Sequence, residues 1–354
     1  MNFTEVDGSQ GEGGGQILRT AMAFSVILGI PVRVSNVRAG RPEPGLKRQH
    51  LSALRVFAEV FGGELSGGKE GSTEISFAPG TQKLQALSLD MGTAASITLV
   101  LQAVVPAAAL TRQGLNLELV GGTDVPWSPT FDYFQNVARP AYGDIGIVFS
   151  MESQRRGYYP RGGGKVSIRV DSSNGMVPRI MAAPLSGGVR AVSRCARLPR
   201  HVAERQLRAA KGVLKEAEMT LVGGEVIEEE ADSPGSTILI WTAGPGTFLG
   251  SDSLGSRGKP AEAVGVEAAR KFVGDARTGA SLDTNLADMI VPLLSLAPGP
   301  STVTVPRVSS HLRTGLGLAR QFTSCDYSVV DEGTHQVVNV IPKQGNNSSY
   351  RHNV

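Results

Sequence analysis

The chain has 354 residues, 41% hydrophobic and 19% charged, with 44 glycines and a formal net charge of +3. That is enough to bury one large core or two linked ones, and it excludes a histone-like or arginine-rich nucleic-acid binder as well as a long tail of one charge. The opening MNFTEVDGSQ has no basic or apolar leader pattern, and the longest apolar run, Leu99 to Leu110, is broken by Gln102 and Pro106. The sequence therefore predicts no membrane association and a cytoplasmic protein. Cys195 and Cys325 stand far apart and make neither a metal-ligand spacing nor a disulfide framework.

Along the chain one grammar recurs: a Gly-rich loop, an apolar-periodic helix, then a short β-branched strand. The first helix follows Gly11-Glu12-Gly13-Gly14-Gly15, carries Ile17, Ala21, Phe24 and Leu28 on one stripe, and stops at Gly29 before Pro31. Val32 to Val37 reads as a strand. A second helix, from about Gly45, carries Leu46, His50, Leu54, Phe57 and Phe61. Strands are expected at Glu74 to Phe77 and Ala86 to Leu89. Thr93 to Ala109 is apolar nearly all round and predicts a helix buried on every side. Leu115 to Val120 and Lys165 to Val170 are further strands, each beside glycines.

Past about residue 184 the texture changes to charged amphipathic helices, His201 to Glu218 and Pro260 to Val273, around a strand at Thr237 to Thr242. The earlier grammar resumes near Asp283 with an apolar helix Leu286 to Leu296, a strand Thr302 to Val305, a helix after His311 and a last strand Gln336 to Ile341. The pattern is α/β (α+β): its spacing hints at internal repeats of supersecondary units, an inserted domain starts at about residue 184 and ends before about Asp283, and a frayed tail covers 343–354.

The segment GSQGEGGGQILRT, Gly8 to Thr20, places five glycines at a helix start, where backbone N–H groups can cradle phosphate. It does not fit the dinucleotide pattern, because Gln16 stands where the last glycine belongs, and no Walker-type loop occurs. Glu12 would repel a bare phosphate, so its sharper role is to meet a nucleotide through a divalent metal; the plain alternative is a solvated loop glutamate. Asn36 to His50 sets Arg38, Arg41, Lys47 and Arg48 around a Pro- and Gly-rich loop, suited either to phosphate or to solvent. His50 lies on an apolar stripe, as a hydrogen-bonded core histidine would. Gln102 is an amide in an apolar helix and needs a partner. Arg155 to Gly164, RRGYYPRGGG, can grip phosphates and stack on bases, or be an exposed turn. His311 follows Ser309-Ser310 between strand and helix, where a helix N-terminus disfavours imidazolium. A neutral imidazole there can attack an α-phosphate.

Together with MGTAASITLVLQ, GGTDVPWSP, GSRGKPAEAVG, NLADMIVP and SSHL, these segments resemble the RNA 3′-terminal phosphate cyclase family from about Asp7 to about Ile341. The resemblance implies repeated βαβ-type units like those of enolpyruvyl transferases over 1–183 and 279–342, a smaller α/β insert over 184–278, and conversion of an RNA 3′-phosphate to a 2′,3′-cyclic phosphate with ATP and Mg²⁺ or Mn²⁺. His311 matches the adenylated histidine and Glu12 the metal-linked carboxylate. Arg19, Arg38, Arg41, Gln49, His50 and Gln102 match residues around the phosphates, and Pro129 and Asp288 match the adenosine pocket. RNA 3′-phosphate ends and ATP are the implied partners. The oligomeric state stays open, a homodimer among the choices. The rival within the resemblance is a non-catalytic ribosome-assembly branch, which lacks the adenylated histidine. An enolpyruvyl transferase would carry a lysine in its N-terminal motif, whereas the first lysine here is Lys47.

Overall fold

The computed structural model describes residues 2–11, 13–81, 84–92, 94–181 and 187–343. The expected tail from 344 onward and the 184–186 end of the insert boundary lie outside the described residues.

Three units share one topology. The first runs β1 (Thr4–Asp7), α1 (Gly15–Leu28), β2 (Val32–Ser35), α2 (Arg48–Val60), β3 (Glu64–Ser66) and β4 (Ile75–Ala78). The second runs β5 (Ala86–Asp90), α3 (Ile97–Leu110), β6 (Leu115–Gly121), α4 (Phe131–Tyr133) continuing through a π-turn at Phe134–Ala138 into α5 (Arg139–Asp144), then β7 (Phe149–Arg155) and β8 (Gly164–Val170). The third opens with β9 (Ile180–Met181).

There the chain departs into a fourth sheet: β10 (Val189–Ala196), α6 (His201–Glu216), β11 (Leu221–Glu229), β12 (Gly235–Gly244), β13 (Thr247–Leu254) and α7 (Ala261–Arg277). The third unit then resumes with α8 (Thr284–Ile290), a 3₁₀ turn at Val291–Leu296, β14 (Ser301–Val305), α9 (Ser310–Thr323), β15 (Asp326–Asp331) and β16 (Gln336–Ile341).

In every unit the first strand pairs parallel with the second, and the closing hairpin inserts its last strand beside the second. The orders are β1-β2-β4-β3, β5-β6-β8-β7 and β9-β14-β16-β15. A parallel pair needs a helical crossover, which is why a helix separates the first two strands each time. The fourth sheet differs, ordered β11-β10-β12-β13. This is the α/β architecture of repeated βαβ units that the sequence predicts.

α1 packs on the second unit's crossover helix α3 and on α9 of the third unit, with Phe24 stacked on Phe322 at 5.6 Å between centroids. One continuous core takes residues from all three repeated sheets, while Val189, Leu207, Ile238, Val264 and Phe272 belong to a separate core in the fourth. α3 is buried over most of its surface, with Leu99, Gln102 and Leu110 partly buried. The expected single helix Leu286 to Leu296 is two pieces, because Pro292 supplies no N–H and α8 gives way to the 3₁₀ turn. Cys195 and Cys325 are buried free thiols.

Candidate functional site

The Gly-rich loop ends at α1, whose N-cap Gly14 offers no side-chain bond and whose first turn carries no acid. The leading N–H groups of a helix have no partner within it, and the N-cap glycine has no side chain to cap them, a start able to cradle an anion. Gly11, at φ +58°, lies so close to α9 that a Cβ there would overlap the Thr314 hydroxyl. That contact presses the loop onto the first turn of α9.

Side chains from three segments converge at the cradle. A Cβ on Gly15 would stand 2.6 Å from His50 Cδ2, 2.7 Å from His50 Nε2 and 3.0 Å from an Arg19 guanidinium nitrogen; one on Gly14 would stand 3.6 Å from Arg41 Nη2. Lys47 N–H donates to His50 Nδ1 at 3.0 Å, and His50 N–H returns a bond to the Lys47 carbonyl at 2.9 Å, a reciprocal cap at the start of α2. With Nδ1 accepting, the proton of the neutral ring sits on Nε2, the atom that faces Gly15. Burial, with Arg19, Arg38 and Lys47 adding repulsion, pushes the His50 pKa down to about 4. Burial also lowers Arg19 to about 10, which leaves it charged at neutral pH. The cradle therefore combines helix N–H groups, a neutral imidazole donor and guanidinium charge.

Arg38, at φ +57°, turns into its own loop and donates to the carbonyls of Glu43 and Gly45 at 2.8 and 2.9 Å. It braces the loop that presents Arg41. Gln49 is exposed on α2. Glu12 lies outside the described residues.

His311 stands on the first turn of α9, capped by the Ser309 hydroxyl, which accepts from Leu312 N–H at 2.8 Å. The Gln16 amide grips it twice: Nε2 donates to the His311 carbonyl at 3.1 Å, and Oε1 meets ring Nδ1. Gln16 is thus the link between cradle and histidine, and the residue that breaks the dinucleotide pattern has a specific task. Asp288, in the last turn of α8, accepts from the Ser309 hydroxyl, which ties α8 to the start of α9. Pro129 is tied through its carbonyl to the Thr98 hydroxyl of α3 at 2.7 Å.

Sequence reasoning missed a buried ionic junction between the repeated body and the fourth sheet. Arg156, 4% exposed, donates to Asp124 at 2.9 Å and to Asp132 at 2.6 Å; Arg194 of β10 reaches Asp132 at 2.7 Å and Glu229 at 3.1 Å. Arg156 also lies 4.5 Å over the Phe131 ring. Burial works to lower the Arg156 pKa, but Asp124 and Asp132 outweigh it and raise the value. Tyr158 is buried with its hydroxyl on Glu229 at 2.8 Å. Of the expected phosphate-gripping loop, Arg156 and Tyr158 are therefore structural, Arg155 pairs with Asp232 at 3.3 Å, and Tyr159 and Arg161 face solvent.

A second junction centres on Asp283. Its carboxylate caps α8, accepting from Asn285 and Leu286 N–H at 2.9 and 3.0 Å, from the Tyr133 hydroxyl at 2.8 Å, and from Gly250 N–H of β13 at 2.9 Å. Burial raises its pKa to about 6.

Fold and site together define an α/β protein built from repeated βαβαββ units, with a histidine of α9 held beside the glycine-rich start of α1. The chain belongs to the RNA 3′-terminal phosphate cyclase family, whose sequence model matches residues 10–329. Relatives carrying the name RNA 3′-terminal phosphate cyclase include proteins from three archaea. That from Methanopyrus kandleri is 43% identical over 97% of this chain and 100% of its own length. That from Ignicoccus hospitalis is 45% identical over 90% and 92%, and that from Hyperthermus butylicus 42% identical over 89% and 90%.

Proposed function

We propose that the protein is an enzyme that converts an RNA 3′-terminal phosphate to a 2′,3′-cyclic phosphate, driven by ATP, through an adenylate carried on His311. The observation that carries this reading is the grip of Gln16 on His311, one residue from the cradle at Gly15.

With the Gln16 oxygen accepting from Nδ1–H, the unprotonated ring nitrogen of His311 is Nε2. Nε2 attacks the α-phosphorus of ATP, forming an N–P bond as the α–β bridge breaks and pyrophosphate departs. The α1 N-terminus, His50 Nε2–H, Arg19 and Arg41 hold the phosphates and meet charge that builds on their oxygens. An oxygen of the RNA 3′-phosphate then attacks the same phosphorus and frees His311. The vicinal 2′-OH attacks the activated 3′-phosphorus, its proton is lost to solvent, and AMP leaves. Because that hydroxyl is already beside its target, effective molarity carries most of the ring closure.

Gln49, Gln102, Pro129 and Asp288 complete the nucleotide environment in this reading. Among the described residues no group of three or more His, Cys, Asp or Glu side chains gathers as a metal cage. Mg²⁺ commonly takes one or two carboxylates and otherwise substrate phosphates and water, so Glu12 and the triphosphate would hold the ion, which screens phosphate charge. We assign the chemistry to residues 1–183 and 279–342, with 184–278 as an insert domain, and place the protein in the cytoplasm. Among the described residues no helix is long and apolar enough to cross a membrane.

The test is incubation with α-³²P-labelled ATP and Mg²⁺ beside His311→Ala. An acid-labile, alkali-stable label on the parent protein alone supports the reading. Label in neither favours the non-catalytic assembly factor, and equal label in both means another nucleophile.

A further inference from the structure

Trp127 is 96% exposed, the most open large apolar side chain among the described residues, and it sits at φ +61°. Bulky residues avoid that backbone region, and a strained residue persists only where its surroundings over-determine it. Here they do. The Ser128 hydroxyl donates to the Val125 carbonyl at 2.8 Å, the Thr98 hydroxyl holds the Pro129 carbonyl at 2.7 Å, and Thr130 N–H donates to partly buried Asp252 at 2.7 Å. Both ends of the loop are fastened, and its tip holds an indole out in water with no packing partner to justify it.

A second loop runs alongside. Thr123 and Asp124 N–H both donate to the Gly157 carbonyl, at 2.9 and 3.1 Å, and Gly162 N–H closes the turn on the Tyr158 carbonyl at 2.8 Å. While Arg156 and Tyr158 anchor this loop from below, Tyr159 is 67% exposed, and exposed Arg161 is steadied by its N–H bond to Ser233 Oγ at 3.2 Å. Two open aromatic rings and a guanidinium thus stand on one sewn rim. The same rim carries Pro129, and through the Thr130 cap, Tyr133 and Asp283 it is tied to the start of α8, whose Asp288 holds the cap of the His311 helix.

We infer that Trp127 and Tyr159 form a stacking platform for the single-stranded 3′ segment of the RNA, upstream of the phosphate that reacts. Every base has a π-face, so open rings beside positive charge bind single strands without reading sequence. A mononucleotide pocket encloses its base; a ring left almost wholly in solvent suits an extended strand that lies across it. The assignment rests on the RNA substrate of the proposed function.

The test uses the full chain with Trp241→Phe, which leaves Trp127 as the sole indole. A single-stranded oligoribonucleotide ending in a 3′-phosphate is titrated against its fluorescence, beside an oligonucleotide of equal length lacking the bases at its 3′ positions. We expect saturable quenching by the first and little by the second. Read by filter binding of the labelled oligonucleotide, Trp127→Ala should weaken its binding by about 5–150-fold, the range for one base–aromatic stack, and Trp127→Phe should recover most of it. Unchanged affinity in Trp127→Ala overturns the platform, as does quenching by ATP alone with loss of ATP-only labelling, which would place the ring on the nucleotide. The two readings separate cleanly. Stacking in a protein that never labels His311 keeps the platform and sinks the cyclase; labelling and cyclisation with an unaltered RNA KM in Trp127→Ala do the reverse.

Discussion

Gln16 and His311 are 295 positions apart in the chain, yet one amide holds both the backbone carbonyl and ring Nδ1 of the histidine. The amide nitrogen donates to the carbonyl, so its oxygen is turned to accept from Nδ1–H, and the opposite ring nitrogen is left as nucleophile. Gln16→Ala should slow adenylate formation at saturating ATP by about tenfold or more, an increase of about 1.4 kcal/mol in barrier. Gln16→Glu should retain more activity than Gln16→Ala, since a carboxylate can still accept from Nδ1–H although it cannot donate to the His311 carbonyl. Single-turnover labelling measures both. Parent-like rates in Gln16→Ala would show that Gln16 does not position the ring.

Gly15 begins α1 with helical backbone, so alanine there introduces no strain in φ. Its Cβ would instead lie within 2.7 Å of the His50 ring and 3.0 Å of Arg19, inside the cradle. Gly15→Ala should therefore push the buried His50 ring off its Lys47 cap and lower stability by about 1–3 kcal/mol, while raising the KM for ATP by about tenfold, or about 1.4 kcal/mol. Calorimetry and steady-state kinetics on one preparation read the two effects. Loss of stability with an unchanged KM would mean that the position serves the fold instead of phosphate.

Where local chemistry decides structure, the chain was readable. The glycine run, the stripe from Ile17 to Leu28 and the stop at Gly29, which takes φ +66° and returns its N–H to Ser25 and Val26, mark α1 from end to end. The amphipathic period likewise announces α6 and α7. Two-residue β9 and three-residue β3 offer too little pattern to read, so the order shared by the three sheets emerges only from pairing. At the site, period placed His50 on the buried face of α2, but which ring nitrogen faces Gly15 depends on the cap formed with Lys47. Arg156 and Tyr158 read as surface groups because Asp124, Asp132 and Glu229, which neutralise and bury them, come from other strands and loops. Gln16 drew notice only for breaking a motif, since no spacing rule links it to His311.

The Arg156 junction should be costly to cut from one side. Asp124 and Asp132 are 1% and 2% exposed, and removing the guanidinium leaves two carboxylates out of water; Arg194 covers only the second. Arg156→Met should lower stability by about 3–5 kcal/mol. Arg156→Lys should recover only part, because one ammonium cannot repeat two directed contacts. Urea unfolding midpoints at neutral pH order the three proteins. Equal midpoints for parent and Arg156→Met would show the network to be energetically idle.

Asp283 provides a pH signature with a definite sign. Burial raises its carboxyl from an ordinary value of 3.8 to about 6 in the folded protein, so the folded state holds the proton more tightly than the unfolded chain. Its contribution to stability is fully present below about pH 4 and is lost as pH rises through 6. Asp283→Asn keeps an oxygen to cap α8 and accept from Tyr133 but has no proton to lose. Melting temperature against pH should therefore lack this fall in the variant between pH 4 and 7, and the gap between the two proteins should widen upward in pH in favour of asparagine. Asp283→Ala removes the cap and orphans the Tyr133 hydroxyl, at a cost of about 2–4 kcal/mol. If Asp283→Asn instead paralleled the parent at every pH, the carboxyl would already be ionised in the fold, stabilised by Lys271 and by its N–H donors beyond what burial costs.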